Sequence, residues 1–316
     1  MAPGQKSYTI DENFFLSHNA EPFYFRQVQK SGWIIALGPL VLVLTALLVP
    51  LEGKAPWMLG ILAWMLIWWV SEVVPIGVTA LLPLILFPLT GVMPLDAVTD
   101  NYANPIIFLF FGGFVLGLAI EKWDLHRRIA LLILQRSGPA PRRIILGTMA
   151  ASFGLSMWIS NTSTTVMMLP IGLSLIALLG NEVPERSTRS MAMALLLGIA
   201  YAANVGGMAT LIGTPPNLVW ASLLEDQQGI EWGFARWLIF AFPLALFLFG
   251  LIYLLLTRVF FRLPPSSFPG VAGLLKEELA RLGKPGRAEK RVALVMIFTA
   301  LLWIGRGFLQ EIRGLD

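Results

Sequence analysis

The sequence predicts an all-α integral membrane protein of several spans, and three observations carry that reading. Of its 316 residues, 56% are hydrophobic and 13% are charged, with a mean hydropathy of +0.73. Soluble domains hold about 25% charged residues, so this chain has too little polar surface to cover itself in water. Apolar runs recur from Gly32 to Ile304 with short polar breaks. Threading those runs alternately across a membrane puts 19 of the 23 Lys and Arg on one side, which matches the excess of basic residues in cytoplasmic loops. The pattern reads as one membrane domain and excludes collagen-like, coiled-coil and disordered chains.

Residues 1–31 form a polar leader without the basic, apolar and small-residue order of a cleavable signal. It is expected to be retained, with the amino terminus in the cytoplasm. Crossing the hydrocarbon takes about 20 apolar residues, and Gly32 to Leu51 supplies the first span. Pro56 to Val74 and Ile76 to Leu89 supply two shorter ones, parted by Ser71-Glu72-Val73-Val74-Pro75, where Glu72 reads as a solvated boundary charge. Pro105 to Ile120 is a fourth span with an amphipathic tail running from Glu121 to Arg128.

Two short apolar arms, Ile144 to Ile159 and Val166 to Leu179, flank the polar run Ser160-Asn161-Thr162-Ser163-Thr164-Thr165. Lipid cannot satisfy such a run, so it must face protein or a water-filled cavity. Residues 144–180 are therefore expected to form a re-entrant hairpin with a polar tip. Met191 to Leu211 is a fifth span that ends in Gly206-Gly207 and Gly213-Thr214-Pro215-Pro216-Asn217 before the apolar pattern resumes at Leu218. Consecutive prolines remove two donors and block helix continuation, while glycine lets backbone or ligand come close. Residues 188–225 thus read as a broken helix. Trp237 to Thr257 is a sixth span within 237–261. Residues 262–291 form a basic arm whose run from Lys276 to Arg291 reads as one cytoplasmic surface helix, and Val292 begins a seventh span within 292–316.

Composition narrows the chemistry. There is no cysteine, which removes disulfides, thiolate metal sites and cysteine nucleophiles. His18 and His126 both lie in polar stretches and offer little for an intramembrane zinc site or proton relay. Net charge is +4 with pI near 9.5, but the basic residues are scattered between spans, so no nucleic-acid partner is expected. The two polar islands, Ser156 to Thr165 and Gly206 to Asn217, contain no carboxylate and no lysine. Hydroxyls and unwound carbonyls suit small hard cations such as sodium, whereas amide groups and helix amino termini suit carboxylates. Broken helices meeting near the midplane are the recurring design of ion-coupled secondary transporters. The plainer reading is that Ser and Thr bond their own helix or join helices together. Met167-Met168 and Trp64, Trp68 and Trp69 read as packing and interfacial residues, and Gly112, Gly113 and Gly117 as close helix contacts.

Ser160-Asn161-Thr162 at a hairpin tip, followed by Gly206-Gly207 and Gly213-Thr214-Pro215-Pro216-Asn217 at a helix break, resembles the divalent anion/sodium symporter family, the INDY-type di- and tricarboxylate transporters. The likeness runs from about Trp33 onward. It implies a sodium site formed by Ser156, Ser160, Asn161 and the Gly213 carbonyl, and a substrate site where Asn161, Thr162, Thr214 and Pro215 face a carboxylate. It further implies a homodimer in the cell inner membrane, surrounded by lipid, in which residues 32–143 supply scaffold and connector and the site moves like an elevator. The implied activity is transport of C4-dicarboxylates such as succinate, malate and fumarate coupled to Na+, with no enzymatic step. Exchange of dicarboxylates, or sulfate or citrate as substrate, are alternatives within the family. Family members have two inverted repeats, each with a Ser-Asn-Thr hairpin, and this chain has one such triplet before Asp316. It is therefore expected to be the amino-terminal portion of a longer transporter, with assembly from two halves, a non-transporting subunit and an inactive remnant as the other readings. An intramembrane hydrolase or transferase would need a base or metal beside the serines, and neither island supplies one.

Overall fold

The computed structural model describes residues 32–180, 184–230, 232–265 and 267–313, except the side chains of Ile106 and 307–313. The leader at 1–31 and its expected cytoplasmic placement lie outside the described residues. All secondary structure among those residues is helical. Four helical stretches are long and apolar enough to cross a membrane, and three shorter apolar stretches accompany them. The chain is an all-α, multi-pass membrane protein. Its described residues fall into two compact units divided between Asn104 and Pro105.

In the first unit, α1 (Gly32–Leu48) packs along α2 (Ala55–Ser71). Small residues set the approach: Gly38 faces the Trp64 ring, and a Cβ on Gly60 would come within 2.9 Å of the Leu42 Cα. Trp68 is buried and its Nε1 donates to the Ile35 carbonyl at 3.3 Å, so this tryptophan is a packing residue, while Trp69 stays exposed. Helix α2 ends at Glu72, which is exposed in a left-handed conformation, as a boundary charge should be.

The run from Ile76 to Leu89 forms two helices, α3 (Ile76–Ala80) and α4 (Leu82–Thr90), where the sequence suggested one span. Pro83 is the reason. It has no N–H for the carbonyl four residues earlier and its ring clashes with it. A further helix, α5 (Leu95–Tyr102), was not expected; Pro94 starts it and Tyr102 ties it back by donating to the Ala80 carbonyl at 2.5 Å.

The second unit opens with α6 (Pro105–Lys122) and the amphipathic α7 (Leu125–Ser137). Next come α8 (Pro141–Ser156), α9 (Asn161–Gly180), α10 (Glu185–Ala209) and α11 (Pro215–Gln228). Then α12 (Phe234–Leu254) runs into a π-helical turn, Leu255–Phe260, and is followed by α13 (Gly270–Arg281) and α14 (Arg287–Arg313). Helix α10 is the hub: α8, α9 and α12 all pack on it. Its buried face, which includes Met191, Leu195, Ile199 and Ala202, meets Ile145, Met149, Met168 and Leu175 in one apolar core.

Two boundaries differ from the sequence reading. Only Ser160 of the polar run lies in the hairpin tip: the bend is Met157–Ser160, and Asn161 to Thr165 are the first turns of α9. Ser160 explains this, because its side chain accepts from the Ser163 N–H at 3.2 Å and so caps the helix. The second arm is consequently 20 residues long, sufficient by length and composition to cross a membrane. The basic run from Lys276 to Arg291 is two helices, because Gly283 adopts φ +65° and Pro285 follows it. Arg128 on α7 clamps that corner, donating to the Gly283 carbonyl at 3.0 Å and pairing with Glu289 through Nε and, at 3.2 Å, Nη2.

Candidate ion and substrate site

Two helix interruptions in the second unit come together, and side chains stitch them. The first is the Met157–Ser160 bend between α8 and α9. The second is the Thr210–Thr214 segment between α10 and α11. Across them, the buried Thr210 hydroxyl donates to the Met157 carbonyl at 2.6 Å.

The second break is held open from within. Asn217, in the first turn of α11 and buried, donates from Nδ2 to the Gly207 carbonyl at 2.9 Å and the Thr210 carbonyl at 2.8 Å. The helix ends at Ala209, so the carbonyls of its last turn need other donors, since unsatisfied backbone is expensive away from water; the Thr210 carbonyl also accepts the Gly213 N–H at 3.3 Å. The close packing requires glycine: a Cβ on Gly213 would lie 2.5 Å from the Gly207 carbonyl oxygen. A Cβ on Gly206 would lie 2.8 Å from the Phe153 Cα.

Asn161 stands at the centre. Its Oδ1 accepts from the Ser156 hydroxyl at 2.7 Å, and its Nδ2 donates to Asn204 Oδ1 at 3.3 Å. Ser156 is fully buried at the end of α8. It does not spend its hydroxyl on its own helix as the plainer reading held; the proton goes to Asn161, leaving oxygen lone pairs free. By contrast Ser152 and Thr148, one and two turns earlier, bond carbonyls of α8 in the ordinary way.

Beside this network lies a cavity of about 160 Å³, lined by Ser160, Ser163, Gly213, Pro215, Trp158 and Glu121 among others. That is many times the roughly 10–15 Å³ that one water requires. The amino termini of α9 and α11 both reach it, through Ser160 and Pro215. Each brings a partial positive charge suited to an anion. Pro215 and Pro216 have no N–H, and the Asn217 N–H turns back to the Thr214 carbonyl at 3.1 Å, so α11 brings mainly its dipole.

Of the seven residues singled out from sequence, Ser160, Gly213 and Pro215 line the cavity, while Ser156 and Asn161 form the network behind it. Thr162 is exposed, Thr214 is half-buried at the N-cap of α11, and neither is part of the lining. Three contributors were missed: Asn204, Thr210 and the Asn217 carboxamide. Asn204 had a legible signal, as a carboxamide inside the apolar run from Met191 to Leu211. Nothing local marks Thr210 and Asn217 as a cross-brace and a break-holder, because their partners lie across the fold.

The citrate transporter family matches residues 66–316. The chain belongs to that family. It sits among the divalent anion/sodium symporters that the Ser-Asn-Thr and Gly-Thr-Pro-Pro-Asn motifs resembled. The sodium-dependent dicarboxylate transporter SdcS of Staphylococcus saprophyticus subsp. saprophyticus is 39% identical over 304 residues. That alignment takes in 94% of this chain and 58% of the relative. The protein of the same name from Staphylococcus aureus strain USA300 is 39% identical over 305 residues, with the same coverage. This citrate transporter family member therefore spans 58% of the length of either relative.

Proposed function

We propose that the chain serves sodium-coupled secondary transport of C4-dicarboxylates, succinate, malate and fumarate among them. The observation that supports this most is the junction at Asn161: a buried hydroxyl, two carboxamides and an interrupted backbone converge beside a cavity that two helix amino termini reach. Their oxygens are neutral, which suits a small hard cation, and the helix dipole suits a carboxylate. Bringing a dianion into a negative interior costs roughly 2.3 kcal/mol per charge per 100 mV, and sodium entering with it offsets that cost. The relatives named for sodium-dependent dicarboxylate transport favour the same cargo.

Within this reading, Ser156, Ser160, Asn161 and the Gly213 carbonyl hold sodium. Asn161, Thr162, Thr214 and Pro215 face the substrate, with Thr162 and Thr214 joining once it is bound. Residues 144–180 act as the hairpin, 188–225 as the broken span and 262–291 as a cytoplasmic arm. Residues 32–143 act as scaffold and connector for an elevator-type movement. The protein works as a homodimer in the cell inner membrane with its amino terminus in the cytoplasm, an orientation favoured by the basic loops. Citrate is the second reading, favoured by the family's own description.

The test is uptake of labelled succinate into proteoliposomes holding the natural protein that carries this sequence, with an inward sodium gradient against choline. Sodium-driven uptake that vanishes in Asn161→Ala is expected. Uptake indifferent to sodium, or unchanged in Asn161→Ala, would refute the reading, and uptake of citrate in preference to succinate would move the assignment to the second one.

A further inference from the structure

Glu121 lines the same cavity as Ser160, Ser163, Gly213 and Pro215, and nothing in the transport reading uses it. It sits half-buried in the last turn of α6. The polar islands contain no charge of their own, so this carboxylate is the formal charge that the lining contributes.

The neighbouring basic side chains are engaged elsewhere. Lys122 places its Nζ 5.9 Å from the centre of the Trp123 ring. Arg127 pairs with Glu278 at 2.6 Å, and Arg128 pairs with Glu289. His126 uses Nδ1 on the Ile120 carbonyl at 3.1 Å. Among the described residues, no ion pair or hydrogen bond takes up the Glu121 carboxylate. Its charge therefore acts on whatever enters the cavity it lines, where partial exclusion of water strengthens charge interactions several-fold over bulk solvent.

A dianion and a fixed carboxylate in one small cavity repel each other, whereas a monovalent cation is attracted. We propose that Glu121 is the charge-selecting residue of the cavity: it favours cation entry and resists the dianion until a cation is bound, setting the two affinities in opposite directions. This rests on the transport reading for its substrate, while its cation half stands on the cavity alone.

The experiment compares wild type with Glu121→Gln, which keeps shape and removes charge, and Glu121→Asp, which keeps charge. Ionic strength is held constant with choline, because salt screens such effects. In proteoliposomes, Glu121→Gln is expected to raise the half-saturating sodium concentration by about fivefold and to lower the half-saturating succinate concentration at saturating sodium by about threefold. Glu121→Asp should lie nearer wild type on both axes. A fold defect would move both values the same way, so a common shift, or none, overturns the proposal.

Thermal stabilisation of the purified protein by graded sodium, against choline, separates this from the transport reading. Should wild type take up no succinate, that reading fails. Weaker sodium stabilisation in Glu121→Gln would still uphold the cation half, and stabilisation equal to wild type would refute it.

Discussion

Gly207 lies so close against Asn161 that a Cβ on the glycine would overlap the Asn161 carboxamide oxygen and come within 2.9 Å of its Nδ2. The position of the central amide is thus set by an absent methyl group on a neighbouring helix. Gly207→Ala must push Asn161 away from Ser156, and overpacking of this kind costs about 1–3 kcal/mol. The half-saturating sodium concentration in a thermal-shift titration should rise by about tenfold. Gly112→Ala is the control, since a Cβ there meets nothing within 4 Å. Equal sodium titrations for Gly207→Ala and wild type would show that sodium binding does not need the carboxamide in this place.

Asn217 is isosteric with aspartate but acts here as a donor to two carbonyls. Asn217→Asp turns that donor into an anion facing the Gly207 and Thr210 oxygens. Stability at neutral pH should fall by about 3 kcal/mol. The new carboxyl would hold its proton more tightly in the folded than in the unfolded protein. Its deficit should therefore grow as pH rises through the ordinary carboxylate range, and shrink below about pH 5. Melting temperatures in detergent across that range decide the matter, and a pH-independent deficit would contradict the donor assignment.

Arg128 and Glu289 join α7 to the first turn of α14 with side chains only 12% and 10% exposed. Removing one partner strands a charge with little access to water, so Glu289→Gln should cost about 3 kcal/mol. The double change Arg128→Leu with Glu289→Leu should cost less than the sum of the single changes. Additive effects in that double-mutant cycle would mean that the pair is not coupled.

Much of this architecture was readable beforehand, and particular residues say why. Length and hydropathy identify helices such as Phe234–Leu254 because lipid forces backbone hydrogen bonds inside each segment. Pro215-Pro216 announced a break for the equally local reason that proline has no N–H. The family resemblance picked out Ser156 and Asn161, which the structure joins at 2.7 Å. Where local signals compete, polarity and charge alone mislead. The run from Ser160 to Thr165 looked like a loop by polarity, yet the Ser160 cap makes most of it helix. The arm looked continuous by charge, yet Gly283 divides it.

The sequence by itself determined the class, both polar islands and the family, since each depends on composition and spacing along the chain. Only the tertiary structure decided that Asn217 holds the Gly207 and Thr210 carbonyls, that Thr210 reaches Met157, that Asn204 backs Asn161, and that Glu121 shares their cavity. A hydrogen bond or a Coulomb interaction acts over a few ångströms of space, and sequence separation carries no record of which distant residues packing will bring that near.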